Sequence, residues 1–151
     1  MKWIFGTAMI FFGIAVFGLD GNLALNCRVS DSRGRRVTAL TNGDRTAKTG
    51  GEWGIYPKKE ELAWLLFDFG KKEKFGSVII QWHSQFAKEY ALQISDDAKT
   101  FRTVLEKNNG KGRLEAFGFP TAEGRFLRLL LKKPGTKFNG FFIHEVEIYR
   151  D

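Results

Sequence analysis

Residues 62–82 read "LAWLLFDFGKKEKFGSVIIQW", and this stretch decides the fold class. Two apolar runs, Leu62–Gly70 and Phe75–Trp82, flank the charged segment Lys71–Lys74. The first run ends at a glycine, and neither run shows the period of an amphipathic helix. The stretch therefore predicts two strands with a turn between them.

The rest of the chain repeats this pattern of short apolar segments separated by turn residues. In residues 90–95, "YALQIS", Tyr90, Leu92 and Ile94 fall on one face of a strand, because side chains alternate along β-structure. The further candidate strands are residues 22–27, 101–107, 113–119, 125–132 and 142–150. Runs of strands without interleaved helices predict an all-β fold, and we expect an eight-stranded antiparallel jelly-roll β-sandwich.

The N-terminal segment differs in character from this domain. Residues 1–18, "MKWIFGTAMIFFGIAVFG", combine one early lysine with an apolar run that is short for a membrane span of about 20 residues. This pattern predicts a signal peptide that is cleaved after Gly18, and the alternative is an uncleaved membrane anchor. We expect residues 19–151 to form one domain that is secreted into the periplasm or the extracellular space.

The single cysteine, Cys27, excludes an intramolecular disulfide bond. We interpret Cys27 as a small buried apolar residue. Lipid modification is the alternative, although Asn26 stands where a small residue would be expected.

The formal net charge of the chain is +7, and basic residues crowd one early segment. These residues are Arg28, Arg33, Arg35, Arg36, Arg45 and Lys48. In an exported protein such a patch indicates acidic glycans or anionic surfaces as partners, and we expect no nucleic acid. The alternative is a solvated face without a partner.

Six segments in order carry a resemblance to a known family. They are "NLALNCRVSDS", "ALTNGDRT" followed by Trp53, "AWLLFDFGKKEKFGSVIIQW", "AKEYALQISDDAKTFRTV", "GRFLRLLL" and "IHEVEIY". Residues 19–151 resemble the discoidin or coagulation factor 5/8 type C domain, and "AKEYALQISDD" is most similar to the carbohydrate-binding modules of bacterial glycoside hydrolases. The resemblance implies a galactose-binding-like jelly roll, a glycan-binding function without catalysis, and a monomer.

The same resemblance implies a structural calcium ion beside the first long loop. Its ligands would be the carbonyl oxygens of Ala39 and His144, a group near Thr46, and the side chains of Asn42, Asp44 and Glu145. Oxygen ligands of this kind suit calcium. Asn42 stands where an aspartate is commoner in the family, and Arg45 and Lys48 add repulsion. The alternative is a plain Asn-Gly hairpin turn, with Glu145 paired to an arginine.

A glycan site is expected at the loop end of the sandwich, as in the modules that the chain resembles. Such a site needs a flat aromatic face and a few fixed polar groups. The matching loops offer eight candidates: Trp53, Tyr56, His83, Gln85, Lys88, Lys137, Phe138 and Asn139. The lysines favour an acidic sugar. Trp53 is the strongest candidate for stacking, and its alternative role is in the core.

Two rival functions follow from the same residues. An adhesion module that binds an anionic membrane or a protein partner would use exposed apolar loop tips, for which the candidates are Ile55, Tyr56, Phe138 and Phe141. An enzyme would need a convergent catalytic set. Glu145 and Glu147 lie about 7 Å apart along one strand, but they come from a single strand and imply no groove, so we expect no enzyme.

Overall fold

The computed structural model describes residues 21–48 and 51–150, which form strands joined by turns and loops. Its eight strands are β1 (Arg28–Asp31), β2 (Arg36–Val37), β3 (Trp53–Ile55), β4 (Ala63–Trp82), β5 (Ala87–Ser95), β6 (Arg102–Lys107), β7 (Leu114–Pro134) and β8 (Phe141–Tyr149). All strand pairs are antiparallel. The prediction of an all-β antiparallel fold is confirmed.

The predicted leader, residues 1–18, lies outside the described residues. Within the part of the chain that the structure covers, no helix has the length and apolar character that a membrane span requires.

Two long strands run through both layers of the sandwich. β4 pairs with β7 from Ala63 to Asp68 and again from Glu73 to Gln81, with register shifts between these stretches. Such irregularities bend a strand and allow it to pass from one sheet to the other. One layer has the order β2-β1-β4-β7-β5-β6, and the other has β3-β8-β4-β7. The two strands predicted within residues 62–82 are one strand, β4, whose pairing with β7 lapses over residues 69–72 and resumes at Glu73.

The core lies between the two layers and follows the predicted alternation. Tyr90, Leu92 and Ile94 are buried, as expected from "YALQIS". On β7, Leu127 and Leu129 are buried. Burial of one such side chain stabilises the fold by about 1.5–3 kcal/mol.

Cys27 is half-buried and packs against this core. Burial raises the pKa of its thiol to about 12, and the charge of Asp68 adds to this effect. The thiol therefore remains neutral near neutral pH and contributes as an apolar group.

A β-bulge in β8 departs from the prediction of strict alternation. Gln81 pairs with Glu145 but the next residue of β4, Trp82, pairs with Ile143, so that His144 is the extra residue. Ile143 before the bulge and Val146 after it are both buried, although strict alternation places them on opposite faces. The bulge sets the direction of the side chains around His144 at the loop end.

The start of the described chain lies beside β8. The backbone N–H of Leu23 donates to the carbonyl of Ile148 at 2.7 Å, and the Ile148 N–H donates to Asn22 Oδ1 at 3.0 Å. Residues near the two ends of the domain therefore lie close together.

Candidate functional site

Trp53 is a core residue, and the expectation of a stacking face there is wrong. Its side chain is 5% exposed, and its indole Nε1–H donates to Asp31 Oδ2 at 3.0 Å. Asp31 is fully buried and also accepts from Arg35 Nε at 2.7 Å. The indole joins β3 to the end of β1, and its face is covered.

Tyr56, three residues later, presents the aromatic surface instead. It is 55% exposed. Its hydroxyl accepts a hydrogen bond from Gln85 Nε2 at 2.8 Å, and its ring meets Phe142 edge-on at 5.2 Å between centroids. The loop after β4, through Gln85, and strand β8, through Phe142, therefore hold this ring.

A depression of about 330 Å³ lies between the loop that follows β3 and the loop that precedes β8, and its lining begins at Pro57, the residue after Tyr56. Asn139 Nδ2 bridges the two loops by donating to the carbonyl of Pro57 at 2.8 Å. Phe138 is 54% exposed beside Asn139, and Lys137 Nζ lies 5.3 Å from the centre of its ring. The depression is lined by Pro57, Lys58, Lys59, Glu60, Glu61, Leu62, Leu131, Lys132, Pro134, Asn139 and Phe141.

Sequence reasoning missed the basic side of this depression, formed by Lys58, Lys59 and Lys132. The adjacent "PKKEEL" segment could have indicated it, since two lysines next to a proline in a long loop are exposed. Glu61 shares the depression and forms a two-pronged ion pair with Arg33, at 2.7 and 2.9 Å. Hydrogen bonds from Arg33 and from the Lys58 backbone hold the pKa of Glu61 at about 2, so Glu61 is ionised.

The remaining candidate residues lie either at this loop end of the sandwich or within the sheet. Lys88 belongs to β5 rather than to a loop, and its carbonyl accepts a hydrogen bond from Gly110 at 2.9 Å. Ile55 and Phe141 are each 2% exposed, so the expectation that they are apolar loop tips is wrong. Both side chains lie on the inward face of the paired strands β3 and β8.

His83 lies at the end of β4 and is exposed. Its Nδ1 atom is 3.3 Å from Glu52 Oε2 and 2.9 Å from Ser84 Oγ. Its ring centre lies 6.2 Å from that of Phe142. The Phe142 ring therefore lies near both the His83 ring and the Tyr56 ring.

A second depression, of about 300 Å³, is present beside the turn after β5. Its aromatic residue is Phe101, and the Arg128 guanidinium lies 3.6 Å from the centre of that ring. The cation lies against one face of this ring, whereas the Tyr56 ring at the loop end is 55% exposed.

The "LTNGDRT" loop forms two successive turns against β8. Asn42 Oδ1 accepts from the Asp44 N–H at 2.8 Å, and Asp44 Oδ1 accepts from the Thr46 N–H and hydroxyl at 2.7 and 2.6 Å. Ala39 is half-buried just before this loop, and the carbonyl of the next residue, Leu40, accepts from Val146. The loop thus brings side-chain oxygens next to β8.

Glu145 faces this loop from β8 and is 1% exposed. Its Oε1 accepts from the Gly43 N–H at 2.9 Å, whereas its buried Oε2 has no hydrogen-bond partner among the described residues. Burial raises the pKa of Glu145 to about 7, with smaller contributions from Glu147 and Asp44. A buried carboxylate oxygen without a partner is a position for a proton or a cation.

Arg45 is bound to Glu147 and not to Glu145. Its Nη2 donates to Glu147 Oε2 at 2.8 Å, and the Tyr149 hydroxyl also donates to this carboxylate. The expectation that an arginine pairs with Glu145 is therefore wrong, whereas the alternative of a plain turn stays open. Glu147 is 4% exposed and fully engaged by these donors, which leaves no catalytic carboxylate pair on β8.

Solved structures show the same fold. Chitosan-binding module 2 of a chitosanase/glucanase from Paenibacillus sp. IK-5, in complex with chitotriose, superposes with a TM-score of 0.74 at 23% identity, covering 85% of this chain and 99% of that module. The carbohydrate-binding module CBM32 of AlyQ, in complex with 4,5-unsaturated mannuronic acid, has a TM-score of 0.59 at 16% identity, covering 75% of this chain and 84% of the module.

Sequence comparison finds one much longer relative. The chain is 27% identical over 71 residues to the polysaccharide lyase 8 family protein HylA of Enterococcus faecalis, which is 47% of this chain and 5% of that protein. The chain thus spans a small part of that relative. The family model of the F5/8 type C domain matches residues 26–146. The chain belongs to the F5/8 type C domain family.

Proposed function

We propose that this domain binds glycans at the depression between the Tyr56–Leu62 loop and the Pro134–Phe141 loop. The observation that carries the proposal is the pair of half-exposed rings, Tyr56 and Phe138, beside a depression that Asn139 bridges. An exposed ring can stack on the apolar face of a sugar, and fixed polar groups can bind its hydroxyls. The complexes of similar modules with chitotriose and with 4,5-unsaturated mannuronic acid support this reading.

We further propose that the preferred ligand is anionic. Lys58, Lys59 and Lys132 line the depression together with Glu60, and Lys132 is paired with Glu106. Lys137 stands next to Phe138. Glu61 is already neutralised by Arg33. A groove with this charge attracts carboxylated or sulfated sugars and repels amino sugars.

A glycan panel followed by calorimetry tests the proposal. The panel contains neutral, amino, uronate and sulfated oligosaccharides, and the variants are Tyr56→Ala, Phe138→Ala and Asn139→Ala. We expect each variant to weaken binding at least about tenfold, which is about 1.4 kcal/mol. Leu114→Ala is the matched control, because Leu114 is 50% exposed at the start of β7.

Binding of a sugar that survives all three loop substitutions would place the site elsewhere on the domain. A folded protein that binds no member of the panel would refute the glycan-binding proposal and favour an adhesion partner. Liposomes that contain anionic lipid then test that function, with Tyr56 and Phe138 as the remaining exposed tips.

The domain acts, in this proposal, without catalysis. The carboxyl group of Glu61 is ionised by its contact with Arg33, so it is a poor general acid at this position. Incubation with each bound oligosaccharide should produce no new reducing ends and no unsaturated products. Their appearance, and their loss in a Glu61→Gln variant, would contradict a purely binding role.

A structural calcium ion is part of the proposal. The donor set suits the ion, because Asn42 and Asp44 flank Gly43, whose N–H donates to Glu145 Oε1, and Glu145 Oε2 has no hydrogen-bond partner among the described residues. Calcium there would join the loop to β8 and stabilise both.

Export of the domain is also a proposal, and it rests on residues 1–18. Intact-mass analysis of protein secreted by its host should give a chain that starts at Leu19. A chain that retains Met1 in the membrane fraction would support the anchor instead.

A further inference from the structure

Both histidines of the chain lie in one cluster, outside the proposed calcium loop. The sequence contains only His83 and His144, 61 residues apart, and the fold brings them together with Glu52. One potential ligand atom from each of the three side chains lies within 4.8 Å of the other two. The three residues come from three elements: the segment before β3, the end of β4, and the bulge of β8.

One nitrogen atom of the cluster is buried and is available as a metal ligand. His144 Nδ1 is buried and has no hydrogen-bond partner among the described residues. The two imidazole rings meet edge-to-face, with 4.6 Å between their centres. Glu52 Oε2 approaches His83 Nδ1 to 3.3 Å from the solvent side. A buried ring nitrogen without a partner is costly unless a proton donor, water or metal ion satisfies it.

We propose that Glu52, His83 and His144 form a binding site for a transition-metal ion, with Zn²⁺ as the best fit. Two imidazoles and one carboxylate are a recognised three-ligand set for zinc, and they leave a fourth position open to solvent. Calcium and magnesium prefer oxygen ligands, so this cluster selects a different class of ion from the Glu145 loop.

The distances permit this coordination with small movements. Ligand atoms about 2.0–2.2 Å from a tetrahedral zinc ion lie about 3.3 Å from one another. The atoms of the cluster are within 4.8 Å, so the approach needed is at most about 1.5 Å. Glu52 and His83 are exposed and can rotate, whereas His144 is held in the strand. Ser84 Oγ, 2.9 Å from His83 Nδ1, can orient that ring once the metal is bound.

Isothermal titration of the untagged full-length protein with ZnCl₂ tests this site, because a histidine tag would bind the same ion. We expect one ion per chain, and Co²⁺ should give the visible absorption bands of a tetrahedral complex. His83→Asn, His144→Asn and Glu52→Gln should each weaken Zn²⁺ binding at least tenfold. Glu123→Gln is the control, since Glu123 is an exposed carboxylate near the bend of β4.

The site does not depend on glycan binding, so the two proposals fail separately. Zinc affinity that is unchanged in His83→Asn would overturn the site, even if His144→Asn proves unstable, because His83 is an exposed residue. Binding that is lost in Cys27→Ser but kept in the histidine variants would assign the metal to the thiol and overturn the site as well. Titration with no heat and no cobalt spectrum at millimolar metal would have the same consequence.

Discussion

Asp31 shows how one buried carboxylate can hold several segments together. It accepts hydrogen bonds from the indole of Trp53, from the Arg35 side chain, and from the backbone N–H groups of Arg33 and Arg35. Burial opposes ionisation, but these donors outweigh it and hold the pKa of Asp31 below its ordinary value. The ionised side chain therefore stabilises the fold.

We predict that Asp31→Asn lowers the free energy of unfolding by about 2–4 kcal/mol at neutral pH, because the amide cannot accept all of these hydrogen bonds. Urea denaturation measures the change, and Asp96→Asn, at an exposed ion pair, is the control. Because the folded pKa is depressed, the contribution is complete above about pH 3.9 and is lost as the pH falls through the folded pKa. Equal effects of the two variants would contradict this role.

Glu145 should give the opposite pH dependence when divalent cations are removed. Its pKa rises from 4.5 to about 7 in the folded state, because it is buried. The folded protein then holds a proton that the unfolded chain has released, so stability falls as the pH increases between these values. We predict a loss of roughly 2–3 kcal/mol across this window, and a flat profile in Glu145→Gln.

Calcium should reverse that loss if it binds at the same carboxylate. Thermal unfolding at pH 8 should shift upward with calcium in the parent protein and remain unchanged in Glu145→Gln. A shift of equal size in both proteins would place calcium elsewhere. An absence of any shift would refute the calcium proposal.

At the scale of the elements, Gly140 controls the shape of the glycan site. A Cβ atom at this position would lie 2.3 Å from Gln85 Oε1 and 2.7 Å from the Tyr56 ring. Both neighbours are side chains that can move, so we predict that Gly140→Ala displaces them. Glycan binding should fall at least about tenfold, with a stability cost near 1 kcal/mol.

Gly118→Ala is the control for that variant. The Cβ atom at Gly118 would lie 3.9 Å from the carbonyl oxygen of Gly76, which is an ordinary contact, and the backbone there is not in the left-handed region. Calorimetry with the glycan identified from the panel, together with urea denaturation, separates the two effects. Gly140→Ala that binds as well as Gly118→Ala would show that the Tyr56–Gln85 arrangement is not needed.

The elements also show which structural features can be predicted from a local pattern. Alternation correctly placed Tyr90, Leu92 and Ile94 in the core, although Ala91 and Ser95 on the other face of β5 are buried as well. It failed in β8, since one inserted residue at His144 reverses the faces that follow. It also divided β4 and β7 into shorter strands, because the charged bend resembles a turn and the pairing is interrupted over residues 69–72 before it resumes at Glu73. Bulges depend on the partner strand, which a local pattern does not specify.

The candidate site was only partly predictable, because it too depends on contacts between distant segments of the chain. Tyr56, Phe138 and Asn139 lie at the predicted loop end, but Trp53 is turned into the core by its bond to Asp31. The meeting of Glu52 with the two histidines depends on pairing between β3, β8 and β4 over long sequence distances. No local motif encodes such a cluster.

For the whole molecule, charge position matters more than the net charge of +7. We predict that Lys58→Gln/Lys59→Gln weakens the binding of a uronate oligosaccharide about tenfold at low salt, because both lysines line the depression. Lys71→Gln/Lys74→Gln removes the same charge at the bend of β4 and is the matched control. Its effect should be below about twofold, since charges separated by more than a Debye length of about 10 Å are screened.

In calorimetry from low salt to about 0.5 M NaCl, the affinities of the parent protein and of the Lys58/Lys59 variant should then become more similar. If both double variants weaken binding equally, the attraction comes from the field of the whole protein. If salt changes the affinity of neither the parent protein nor the two double variants, the ligand is not held through its charge. That outcome refutes the preference for anionic sugars. The stacking site is tested separately by Tyr56→Ala.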